Sequence, residues 1–137
     1  MTEPEPVPLG RQVNVHDAVG GGPFFTELVD RFYDDVAHDP VLRPLYPEDL
    51  ADSRRHLVLF LQQYWGGPGT YSEERGHPRL RMRHAPFTIG EPERDAWLRH
   101  MLAALDATAA AHDAPPELVP RIREHLLQAA DFLVNAR

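Results

Sequence analysis

The stretch "YWGGPGTYSEERGHPRLRMRHAPF", Tyr64 to Phe87, decides the fold. It is too rich in glycine and proline to be one regular helix or strand, so it divides the chain into a part before it and a part after it. A link this long inside a compact domain is uncommon and is usually functional. Within it Arg75, Arg79, Arg81 and Arg83 surround His77 and His84, although the chain as a whole is acidic. Two chemistries compete for such a run: a basic patch for nucleic acid, or a histidine presented to a metal.

On the N-terminal side, Phe25, Leu28, Val29, Phe32, Tyr33 and Val36 recur at spacings of three and four, which places them on one face of a helix beginning in "AVGGGP". Pro40, Pro44 and Pro47 then stop that helix and form a turn-rich corner holding Tyr46, with Asp49 set to cap the next helix. That second helix is expected from Leu50 to Tyr64. Leu57, Phe60, Leu61 and Tyr64 face inward on it, Ser53 lies one turn earlier on the same face, and Gly66 and Gly67 end it. Beyond the link a third helix is expected from Glu91 to about Asp106, with Trp97, Leu98, Met101, Leu102 and Leu105 inward. A last one carries Leu118, Ile122, His125, Leu126, Ala129, Phe132 and Leu133. No strand pattern and no internal repeat emerge, so the chain reads as all-α. The proline-rich residues 1–14 read as a flexible N-terminal tail and residues 15–137 as one domain.

The net charge of −7 argues against a nucleic-acid partner, which needs a clustered positive field. With no cysteine, disulfides and thiolate metal sites are excluded, and the composition suits a reducing cytoplasm. No apolar run approaches the roughly 18 residues of a membrane span, and no export signal is apparent.

Three aromatics with polar tips, Tyr33, Tyr46 and Trp97, fall on inward helix faces or in the corner. Each hydroxyl or indole N–H needs a partner once buried, either a nearby carbonyl, solvent, or a polar ligand between them. His84 is equally open: a solvated loop residue, a satisfied core histidine or a metal ligand. No second histidine or carboxylate stands at helical spacing to complete a zinc site, so a ligand role for His84 points to a metal that brings its own equatorial donors, as haem does. Arg81 and Arg83 would then suit the haem carboxylates, and Met82 the macrocycle.

These residues resemble the truncated haemoglobins, specifically group II. The likeness runs from about His16 to Leu105, through "DAVGG", "RFYDDVAHDPVLRPLYPEDL", "YWGGP…Y…RGHP.LRMRHAPF" and "ERDAWLRHM". The resemblance implies a truncated globin-like two-over-two helical sandwich around haem b (iron protoporphyrin IX), with His84 as the proximal iron ligand. It places Tyr33, Tyr46, Ser53, Leu57 and Trp97 on the distal side. Phe60, Leu61, Arg81, Met82, Arg83, Phe87 and His56 would contact the cofactor. Ser53 stands where alanine is common, and His56 where a basic residue often faces a haem propionate, which makes its charge dependent on pH. Dioxygen and other diatomic gases are the implied ligands. Because a dioxygen ligand takes on negative charge, Tyr and Trp donors aimed at it imply slow release. The same pocket suits a nitric oxide dioxygenase or a peroxidase-like haem enzyme. Sustained turnover would call for a reductase, since the chain carries no flavin or nicotinamide motif, and a homodimer is compatible with the resemblance.

Overall fold

The computed structural model describes residues 14–136. Most of the expected tail, residues 1–13, lies outside the described residues. Asn14, its last member, is ordered: its side chain accepts from the Asp17 N–H at 3.0 Å and caps α1, Val15–Ala18. It also donates to the Gly66 carbonyl at 3.1 Å, and the His16 N–H donates to the Trp65 carbonyl at 3.0 Å, so the first turn is bound to the end of a later helix.

Helix α2, Gly22–Val36, starts at the expected breaker, with Pro23 in its first turn. Every residue of its expected inward face is buried, and Phe24 joins them at 0% exposure. A 3-10 turn at Arg43–Leu45 forms the corner, followed by α3, Ala51–Tyr64, whose first N–H is accepted by the Asp49 carboxylate at 2.9 Å. Gly66, at φ +105°, ends α3 in a backbone region that side chains avoid. Gly67 serves a different need, since a Cβ there would stand 2.5 Å from the His16 ring.

The link contains two short helices that its sequence does not announce, α4 (Thr70–Arg75) and α5 (Leu80–His84). A single turn shows no hydrophobic period, and a helix so short is stable only through the contacts around it. Helix α6, Glu91–Ala111, opens as expected, with the Glu93 carboxylate accepting from the Gly90 N–H at 2.8 Å. It runs past the expected end at Asp106, to Ala111, because the residues that follow are mostly alanine, the best helix former. Helix α7, Val119–Phe132, tolerates Pro120 in its first turn. Phe132, expected inside, is 53% exposed; Ala130 and Val134 are buried nearby instead.

Helix α2 packs on α3 and on α6, and α6 packs on α7. The fold is thus the all-helical, two-over-two globin sandwich, with no strand among the described residues. Phe24, Phe25, Leu28, Phe32, Met101, Leu105, Ile122 and Leu126 fill its centre. No described helix is long and apolar enough to cross a membrane.

Candidate haem site

Beside that core lies a cavity of about 400 Å³, within the range of about 300–1,000 Å³ usual for small-molecule and cofactor sites. It lies between α3, the one-turn α5, the start of α6, the end of α7 and the corner that holds Tyr46. Of the residues expected to line a site, Tyr46, Ser53, His56, Leu57, Phe60, Arg83, His84, Phe87 and Trp97 all do.

Helix phase explains the wall that α3 contributes. Ser53, His56, Leu57 and Phe60 share a sector facing the cavity. Leu61, about 100° further round from Phe60, turns into the core instead, at 3% exposure, and does not line the cavity. The same phase argument applies to α5. Leu80, Arg83 and His84 stand at i, i+3 and i+4 and face the cavity, which forces Arg81 and Met82 outward. Met82 is 60% exposed. The Arg81 guanidinium lies 5.1 Å over the Phe132 ring and donates to the Phe132 carbonyl at 3.2 Å, so neither residue touches the cavity as expected.

His84 is held by its own helix, with Nδ1 2.7 Å from the Leu80 carbonyl oxygen. A carbonyl can only accept, so Nδ1 carries the proton and Nε2 keeps its lone pair. This is how metal-ligating histidines are usually oriented. No cluster of three or more His, Asp or Glu side chains among the described residues could hold a bare ion. The donor set therefore fits a metal that arrives with four ligands of its own.

Tyr33 does not line the cavity but lies buried behind Tyr46, the two rings meeting edge to face at 5.4 Å. The two phenol groups interact by a side-chain hydrogen bond. Burial, followed by the neighbouring Tyr46, pushes the Tyr33 phenol well above its ordinary range, and burial pushes Tyr46 up to about 12. Both therefore stay protonated throughout the neutral range. Trp97 rests edge to face on Phe32 at 5.6 Å, and its indole N–H has no hydrogen-bond partner among the described residues.

The corner carrying Tyr46 is fixed at both ends. The Arg43 guanidinium donates to the carbonyls of Tyr46, Pro47 and Glu48. Asp39 accepts from the Val41 and Leu42 N–H groups through one oxygen, and from His100 at 2.5 Å and Arg99 at 3.3 Å through the other. His100 and Arg99 lie on α6, close to Trp97, so this buried carboxylate ties the corner that carries Tyr46 to the helix that carries Trp97. The His100 hydrogen bond is the largest cause holding the Asp39 carboxyl down to about 2, from an ordinary 3.8. Because the folded value is depressed, the stabilisation is complete above pH 3.8 and is lost as pH falls toward 2. Asp39→Ala should cost about 1–3 kcal/mol at neutral pH and remove that acid-dependent loss. Urea unfolding from pH 2 to 7 measures both, and equal stability of the two proteins at pH 7 would exclude the role.

Sequence reasoning missed Tyr71 and Arg75, which also line the cavity. Arg75 Nη1 donates to His56 Nε2 at 3.1 Å, while its buried Nε has no partner. Burial, followed by the Arg75 charge, lowers the His56 pKa, which favours the neutral, accepting ring. A cationic guanidinium lining an apolar cavity calls for a carboxylate. Arg83 is already committed to the Pro78 and Arg75 carbonyls. The available signal was the arginine run itself, but which members turn inward depends on α4 and α5.

A family model for bacterial-like globins matches residues 14–129. The chain is 45% identical over 98 residues to the Group 2 truncated hemoglobin YjbI of Bacillus subtilis, covering 72% of this chain and 74% of that protein. Among solved structures, a thermostable hemoglobin from the actinobacterium Thermobifida fusca is 55% identical with a TM-score of 0.85, covering 90% of this chain and 98% of that one. The truncated oxygen-avid haemoglobin from Bacillus subtilis is 39% identical with a TM-score of 0.82, covering 90% and 100%.

Proposed function

This chain belongs to the bacterial-like globin family, as a group II truncated haemoglobin, and from that premise we propose that it binds haem b through His84 and holds dioxygen tightly through Tyr46 and Trp97. The observation that carries this reading is the His84 Nδ1 bond to Leu80, which leaves Nε2 as the free nitrogen of a cavity-lining ring. Bound haem supplies a ferrous iron that takes up diatomic gases.

The protein's own side chains do the rest. Arg75, which lines the cavity with His56 beside it, offers its guanidinium to the haem carboxylates. Leu57, Phe60, Leu80 and Phe87 give the macrocycle an apolar enclosure that excludes water. Tyr46 and Trp97 donate to the gas ligand, Ser53 leaves room beside them, and Tyr33 orients Tyr46 from behind. Such donors favour a ligand that takes on negative charge over one that does not, so dioxygen gains more than carbon monoxide. That preference supports an oxygen-avid protein like the Bacillus subtilis relative of that description. The absence of cysteine accords with a cytoplasmic setting.

The test is a visible absorption spectrum of the purified protein, taken ferric, dithionite-reduced, and reduced under dioxygen and under carbon monoxide. A Soret band that moves with each gas is expected. No Soret band after added hemin would refute haem binding.

A further inference from the structure

Helix α5 carries His84, yet nothing within it explains why it stands where it does. It is five residues long, buries none of them, and has no side-chain bond capping its first turn. A helix that short is not stable alone, and the carbonyls of its last turn have no partners inside it. The missing anchor comes from the segment that follows α7. Asn135 Nδ2 donates to the Phe87 carbonyl at 2.9 Å and to the His84 carbonyl at 3.4 Å, while its Oδ1 accepts from the Ile89 N–H at 2.8 Å. The backbone N–H groups of Asn135 and Ala136 close the contact by donating to the Ile89 carbonyl at 2.8 and 3.1 Å. Gly90 makes room for this approach, since a Cβ there would stand 3.2 Å from the Ala136 carbonyl oxygen.

We infer that Asn135 is a positioning residue for His84: it clamps the end of α5 to the segment after α7 and so fixes the backbone from which the ring is presented to the cavity. The role toward haem rests on the reading of His84 above; the clamp itself does not. The Nδ1 bond to the Leu80 carbonyl orients the ring relative to its own helix, but both groups lie on α5, so that bond cannot set where α5 stands. Asn135 supplies the second constraint from outside. Because Phe87 and Ile89 also line the cavity, the same contact holds the wall beside His84. Arg81 ties α5 to the Phe132 carbonyl as well, but through a long flexible side chain that leaves the His84 carbonyl untouched. Asparagine suits the position because one planar group offers both a donor and an acceptor. Aspartate has the same shape but no N–H, and would set a negative charge against two carbonyl oxygens.

Asn135→Ala and the isosteric Asn135→Asp test the clamp, with Ile122→Val as a control that weakens the buried face of α7 without touching it. The first readout needs no haem. Exchange of the Ile89 amide proton, followed by NMR in the isotope-labelled protein, should be protected in the unsubstituted chain and about tenfold faster in Asn135→Ala. The second uses the hemin-loaded protein: the iron–histidine stretching band of the reduced, gas-free form by resonance Raman, and hemin transfer to excess apomyoglobin. Both Asn135 variants should shift or broaden the band and lose hemin about tenfold faster, the low end of the effect of groups that orient a metal ligand, while Ile122→Val alters neither. An unprotected Ile89 amide in the unsubstituted chain would overturn the clamp. An unchanged band and unchanged hemin loss in both Asn135 variants, or equal changes in Ile122→Val, would overturn its role at His84. No hemin binding by the unsubstituted protein would refute the haem reading, and with it that role, while amide exchange would still decide the clamp.

Discussion

Replacing His84 with glycine is expected to abolish the histidine-ligated haem spectrum while leaving the helical fold in place. Helix α5 contributes no residue to the buried core, which is built from α2, α3, α6 and α7. Loss of one side chain from α5, and roughly 1 kcal/mol of helix propensity with it, therefore leaves the sandwich intact. The effect on the cofactor is larger. Loss of an outer-shell partner alone typically lowers metal affinity about 10–100-fold, and here the ligating nitrogen itself is removed. Hemin titration should show weak binding, and added imidazole should restore a five-coordinate ferrous spectrum by filling the space. A normal ferrous spectrum without imidazole would mean that another residue ligates the iron. His56, which lines the same cavity, would be the first to examine.

The second large effect is expected at the donors. Trp97→Phe should accelerate dioxygen release by roughly one to two decades, since a charge-assisted hydrogen bond contributes about 1.5–3 kcal/mol and each 1.36 kcal/mol is tenfold in rate. Phenylalanine keeps the packing against Phe32 and removes only an N–H that has no other described partner, so stability should change little. Tyr46→Phe should accelerate release similarly but also destabilise the fold, because it strips the buried Tyr33 hydroxyl of its hydrogen-bond partner. Carbon monoxide release, measured in parallel, should move far less in both variants. Unchanged dioxygen off-rates in both would remove these residues as the principal donors.

Tyr33 and Tyr46 differ in a way that helix periodicity does not reveal. Tyr33 lies on the long α2 and Tyr46 in a proline-rich corner, and both read as inward aromatics with polar tips. Only the packing of the corner over α2 brings Tyr46 to the cavity and leaves Tyr33 buried behind it. Asp39 shows the same limit from the polar side. No apolar period or motif marks it in the sequence, yet it is buried against His100, more than sixty residues away in sequence.

The long amphipathic helices, the all-α class, the isolated histidine and the family likeness were determined by the sequence itself, because apolar spacing over three or more turns and a long specific motif are local properties. The direction each side chain of the link faces was decided only by the tertiary structure. Helices α4 and α5 are too short to carry a period or to be stable alone, so their phase is set by what packs against them. That phase turns Arg75, Arg83 and His84 into the cavity, and leaves Arg81 and Met82 outside it.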